Sequence, residues 1–305
     1  MNKIRENIGK AVVGKEKVTD LLLTCLIAEG HILLEDVPGT GKTLLAKALA
    51  KSVKGSCGRI QFTPDLLPAD VTGLNFYNRK EDAFVLKKGP VFCNILLADE
   101  INRATPRTQS ALLECMEEKQ VTIDGETLSL EKPFFVIATQ NPVETYGTFP
   151  LPEAQLDRFM MKINMGYPTS GDEALILKKS EISSPAENLE NVCTLEDVVK
   201  MSEGAKKVFV NEDIYSYIVG IAEATRNMAQ VQTGVSPRGS VALLKAAKAY
   251  AFIMGRDFVN PEDVKYLAPY VLGHRMVMKG ETSGFDAVKE VLSKVEVPTE
   301  DFSER

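Results

Sequence analysis

Along the first 168 positions, short apolar runs alternate with amphipathic windows. Five runs have strand character: HILLED at 31–36, RIQFT at 59–63, NILLAD at 94–99, FFVIAT at 134–139 and MMKINM at 160–165. Separated by helical windows, they predict a parallel sheet covered by helices on both faces, an α/β class. From about residue 170 the strand runs stop. Stretches such as NEDIYSYIVGIAEATRNM and GSVALLKAAKAYAFIMG then carry apolar residues at helical spacing. The turn-rich seam Pro168-Thr169-Ser170-Gly171-Asp172 divides an α/β unit, 1–168, from an all-α unit, 169–305.

Two segments break the α/β alternation. Residues 72–86 alternate polar and apolar around a charged centre, and residues 120–130 do the same around Asp124-Gly125, a strong hairpin signal. Both predict β-hairpins inserted into the core, either as working elements or as surface decoration.

The remaining composition narrows the class. A chain of 305 residues can bury a core without covalent staples. Its five cysteines (Cys25, Cys57, Cys93, Cys115 and Cys193) are scattered and form no CxxC pair, so reduced and mostly buried thiols are expected. The start lacks an apolar leader, and nowhere do about 18 apolar residues run together, which predicts a cytoplasmic protein with no membrane insertion. A net charge of -6 argues against nucleic acid as the habitual partner. His31 and His274 are expected to pack or lie on the surface, and Met160, Met161 and Met165 to fill core gaps.

Candidate chemistry begins at Pro38-Gly39-Thr40-Gly41-Lys42-Thr43-Leu44, between an apolar strand and a helix-forming run. A phosphate-gripping loop needs glycines where backbone N–H groups curl around oxygen, followed by Lys and Ser or Thr. Gly39, Gly41, Lys42 and Thr43 supply them, although Asp36 holds the position where the general pattern has glycine. The helix opening there adds its own free amides. Lys42 is expected to reach the β- and γ-phosphates of ATP, and Thr43 to place its hydroxyl on Mg2+.

A second strand ends in Asp99-Glu100. Asp99 suits the Mg2+ shell and Glu100 the polarisation of an attacking water, a pairing that favours hydrolysis over transfer to a small molecule. A third strand ends in Gln140-Asn141-Pro142, where Asn141 either faces the γ-phosphate or simply forms a turn. Arg158 and Arg238 are two further cations, each equally readable as surface charge.

Taken together, VPGTGKT, LLADEINRATPRTQSALLECMEEKQVTIDG, ATQNPVETYGTFPLPEAQLDRF and SPRG resemble the AAA+ ATPases of the MoxR family, a likeness covering nearly the whole chain. The resemblance implies a sheet order of 5-1-4-3-2, hairpins facing a central opening, and a helical lid. It implies that Val13 and Gly14 contact adenine and that Asn141 is the sensor-1 residue. It makes Arg158 an arginine finger serving the neighbouring subunit, and Arg238 a sensor-2 residue reaching back to its own subunit's γ-phosphate. Arg103 is implied as an additional cation at the subunit junction.

From the same resemblance follow a homo-oligomer, in this family a hexameric ring, and chaperone-like remodelling of a protein client. A partner carrying a von Willebrand factor A domain is implied as well. The alternative is an AAA+ motor on DNA or a magnesium-chelatase-like subunit, since these share the inserts. A GTPase fits poorly, because no Asn-Lys-x-Asp motif follows the Asp-Glu strand. A kinase fits no better, having no use for Glu100 with Asn141, Arg158 and Arg238.

Overall fold

The computed structural model describes residues 1–35, 39–142, 147–180 and 189–298. Its main sheet contains Ile32–Glu35 (β1), Cys57–Gln61 (β2), Ile95–Asp99 (β3), Phe135–Gln140 (β4) and Met161–Ile163 (β5), numbered within that sheet alone. All four pairings are parallel, and the order across the sheet is 5-1-4-3-2, as the resemblance implies.

Period-two alternation along each strand divides the apolar side chains between two cores. Ile32 and Leu34 face one cluster with Leu45 and Leu49 of the helix Lys42–Ser52 and with Leu22 and Leu26 of the helix Glu16–Ile27. Leu33 faces the other, against Leu112 and Leu113 of the helix Pro106–Glu118. Because both faces are covered, the inner strands β1, β3 and β4 are almost entirely apolar until their last residues, whereas the edge strands β2 and β5 carry Arg59 and Lys162. Met161 lies within β5 while Met160 and Met165 flank it, and all three are buried.

Both hairpins form. Gly73–Asn78 pairs antiparallel with Ala83–Lys88, and Gln120–Ile123 with Glu126–Ser129. Asp124 and Gly125 turn the second with φ of 50° and 86°, the double positive φ that an Asp-Gly hairpin turn requires. An Asn75 Nδ2–H donates to Asp124 Oδ2 at 2.9 Å, tying one hairpin to the tip of the other.

Among the described residues, five α-helices follow the seam helix Ser170–Ser180: Leu195–Lys206, Glu212–Arg226, Pro237–Ile253, Pro261–Leu272 and Gly284–Lys294. Thr194, Asn211, Ser236 and Ser283 cap four of them by accepting from backbone N–H groups of the first turn. The all-α expectation needs one addition. Val231–Thr233 pairs antiparallel with Val277–Met278, a ribbon too short to leave a periodic signal in sequence. The helix Pro237–Ile253 packs on Glu16–Ile27, so one apolar cluster runs from the sheet into these later helices.

All five cysteines are free. Cys25 and Cys115 are buried, Cys93 and Cys193 half-buried, and Cys57 is exposed, so thiol burial is less complete than expected. Burial raises the pKa of Cys25 and pushes Cys93 and Cys115 up to about 12. No helix among the described residues is long and apolar enough to cross a membrane.

His31 is a packing residue, as expected. It is 4% exposed, its Nδ1 accepts from Val136 N–H at 3.0 Å, and its Nε2–H donates to the Met116 carbonyl at 3.1 Å. Met160 N–H donates to the His31 carbonyl at 2.8 Å, so this side of the sheet, where the strands begin, is pinned around one residue. Burial lowers its pKa from 6.5 to about 4. The unfolded chain therefore takes up this proton first as pH falls, so the stability is intact above 6.5 and is lost toward pH 4. The shift corresponds to about 3 kcal/mol. Urea unfolding between pH 7 and 4.5 should show falling stability, and His31→Gln should flatten that slope. Part of it will persist, because burial and Arg275 hold His274 well below its ordinary value too.

Candidate active site

The loop after β1 meets the helix Lys42–Ser52 through Gly39 and Gly41, with φ of 87° and 91°. Both are left-handed positions that disfavour a side chain. A Cβ at either would project into open space, so the hollow over the loop stays clear for a ligand. Thr40, Lys42, Thr43 and Leu44 line up at the helix entry. Asp36 and Pro38 lie outside the described residues.

Beside this loop a cavity is lined by Val12, Val13, Gly39, Thr40, Gly41 and Leu44, with Pro168, Ile176 and Lys179 arriving from the seam. Gly14 borders it, with φ of 67°, and a Cβ there would stand 2.3 Å from Asp172 Oδ2 of the seam helix. That φ disfavours a side chain, and one there would also have to displace the Asp172 carboxylate. Lys15 is 7% exposed, and its ammonium donates to the carbonyls of Met165, Gly166 and Tyr167 at 2.7, 2.9 and 3.3 Å. Those three bonds offset the burial of its charge and anchor Val13 and Gly14 beside the loop. No sequence signal marks Lys15, whose role rests on contacts with residues 165–167.

Asp99 ends β3 alongside. Its Oδ1 accepts from Thr139 Oγ1–H at 2.8 Å and its Oδ2 takes Arg59 Nη2–H at 2.8 Å. Glu100 follows in a left-handed conformation, φ 57°, which turns the chain out of the sheet. Its N–H donates to Thr139 Oγ1 at 2.8 Å, and its Oε2 accepts from Gln61 Nε2 at 2.8 Å and Arg103 Nη1 at 3.1 Å. Asn141, 6% exposed, leaves the end of β4 next to them. The parallel register that pairs Gln61 with Asp99 explains why β2 supplies two polar partners to the acidic strand. Arg59 and Gln61 carry no motif of their own, and only this register betrays them, whereas Thr139 lies in the ATQN string that ends β4. Arg103, expected at a subunit junction, sits on its own Glu100.

Arg158 and Arg238 lie elsewhere. Arg158 Nε is 3.0 Å from Glu117 Oε2, Arg238 Nη2 is 3.1 Å from Glu117 Oε1, and Arg238 Nε is 3.3 Å from Asp157 Oδ2. They share a cavity with Gly30 and His31, which precede β1, whereas the phosphate loop follows it. The four residues of β1, at about 3.3 Å each, put roughly 13 Å between those edges. Arg238, implied to reach back to the phosphates of its own subunit, is paired here with Glu117 and Asp157 at the end where β1 begins, and not with the phosphate loop. The reason lies in docking. Arg238 is the second residue of the helix Pro237–Ile253, and that helix starts against the Asp157 segment.

Comparison with known proteins agrees with the fold. Residues 31–161 match the model of the ATPase family associated with various cellular activities (AAA), and residues 223–295 match an AAA lid domain. Bacillus subtilis YeaC, an uncharacterized protein, is 52% identical across 98% of this chain and 95% of its own. The Mycobacterium tuberculosis chaperone MoxR1 is 41% identical across 94% of this chain and 76% of its own. A crystal structure of a suspected ATPase from Cytophaga hutchinsonii superimposes with a TM-score of 0.91 at 41% identity, covering 98% of this chain and 94% of that one.

Proposed function

The chain belongs to the MoxR family of AAA+ ATPases, and we propose that it completes its catalytic site only between adjacent copies of itself. The single observation that supports this is the division of the polar groups. Lys42, Thr43, Asp99, Glu100 and Asn141 gather where the strands end, whereas Arg158 and Arg238 gather where they begin.

Within one copy, the open hollow over Gly39 and Gly41 suits phosphate oxygens, with the helix amides and Lys42 as donors. Val13, Gly14 and the seam residues would hold the base, Pro38 and Thr40 the loop. Thr43 and Asp99 would hold Mg2+, which supplies charge neutralisation on the phosphates. Glu100 takes the proton from the attacking water, while Gln61 and Arg103 hold its Oε2. Asn141 orients that water. The neighbour's Arg158 and Arg238 then stabilise the charge that develops on the transferred phosphoryl group.

Because both arginines come from the next copy, the interface is head-to-tail, and we take its closed form as a ring of six copies. The division into a core at 1–168 and a lid at 169–305 belongs to the same proposal. Cleavage at one junction would shift one copy against the next, and the hairpins would carry that movement to a protein client. The naming of MoxR1 as a chaperone supports a remodelling role, to which a partner with a von Willebrand factor A domain belongs in the proposal.

ATPase rate against protein concentration tests the composite site. Specific activity is expected to rise steeply as copies assemble and then level off. A specific activity independent of concentration, from a chain that sediments as a monomer, contradicts it.

A further inference from the structure

The two arginines are held by acids whose own placement calls for explanation. Glu117 is the penultimate residue of the helix Pro106–Glu118, and Glu118 follows it. Carboxylates at a helix C-terminus face the negative end of its dipole, where a cation is normally favoured. Glu117 offsets that by reaching two guanidinium groups, one with each oxygen. Asp157 likewise divides its oxygens between Arg238 and Arg275, at 3.3 and 2.7 Å.

The result is a line of alternating charge, Arg158, Glu117, Arg238, Asp157 and Arg275, with a fixed end and a loose end. The Arg275 side chain is 3% exposed and Asp157 21%, whereas Arg158, Glu117 and Arg238 are 30, 38 and 53% exposed. Arg275 also donates to the carbonyls of Asp157, Phe159, Met160 and Val271, so its grip on Asp157 is not free to open. The Glu117 contacts are half in water and exchange at small cost.

We propose that Glu117 is a holding residue: it gathers Arg158 and Arg238 in the unassembled chain and yields them to the phosphates of a neighbour's nucleotide. This rests on the composite site proposed above. Carboxylate and phosphate oxygens compete for the same guanidinium forks. A chain without a neighbour keeps its two cations compensated, and assembly becomes dependent on a nucleotide being present to replace the acid. Asp157, tied to Arg275, stays behind as the pivot on which Arg238 swings.

Sedimentation velocity of the full chain with a non-hydrolysable ATP analogue tests this. Glu117→Gln keeps the shape and removes the competing charge. Its association midpoint is expected about threefold to tenfold below that of the unmodified chain in the analogue. Without nucleotide it should associate no better, because Arg158 then lacks its acid and Arg238 keeps only Asp157. In an Arg158→Ala background the same substitution should shift the midpoint less. A midpoint that stays or rises in the analogue overturns the holding role, and so does an equal shift without nucleotide. Arg158→Ala alone separates the two proposals. If it leaves analogue-dependent association and turnover intact, or if the unmodified chain fails to associate with the analogue, the composite site falls, and the holding role with it. If Arg158→Ala weakens association while Glu117→Gln does not strengthen it, only the holding role is lost.

Discussion

Replacing Arg158 by alanine is expected to reduce ATP turnover by about 10^3- to 10^5-fold, the range in which a finger supplied across an interface operates. Nucleotide binding by each chain should survive, because the phosphate loop and the Val13–Gly14 cavity lie at the other edge of the sheet. The loss should therefore appear as a fall in kcat, with a fluorescent nucleotide still bound at close to its original affinity. Stability should barely change, since the ion pair of Arg158 with Glu117 is 30 and 38% exposed. A variant that turns over at more than about a tenth of the original rate would remove the arginine from the reaction.

The second large effect falls on stability. Arg275→Ala is expected to destabilise the fold by about 3 to 5 kcal/mol, the usual result of stripping one partner from a buried charge pair. Asp157 would lose its closest cation, and the carbonyls of Phe159 and Met160 would lose a buried donor. Arg238→Ala provides the contrast, because it touches the same Asp157 from a half-exposed position and should cost no more than about 1 kcal/mol. Urea unfolding with a shared m-value measures both. If the two substitutions cost the same, the distinction between a buried clamp and a loose pair is wrong.

The fold was legible because its signals were local. β1, β3 and β4 are apolar runs of the right length, the second hairpin turns on Asp-Gly, and Gly39 and Gly41 stand at positive φ as a phosphate loop demands. Asp99, Glu100 and Asn141 were legible for the same reason, each being the polar end of an apolar strand. What escaped depends on contacts between distant segments. Gln61 matters only because β2 is in register with β3, and Lys15 only because three carbonyls near residue 166 converge on it. Arg238 shows the limit most clearly. Its motif is local and readable, but where it points depends on how the helix Pro237–Ile253 docks, with Glu117 and Asp157 holding the guanidinium and Arg275 holding Asp157.

The composite site is tested most directly by mixing two inactive chains. A Glu100→Gln chain lacks the water-activating carboxylate but keeps Arg158, and an Arg158→Ala chain has the reverse. In mixed head-to-tail rings some junctions combine an intact Glu100 with an intact Arg158, about a quarter of them for random equal mixing. The account predicts that ATP turnover reappears on mixing, approaching that fraction of the unmodified rate. Turnover no greater than the sum of the two separate variants would contradict it, placing both residues at the same nucleotide within one copy.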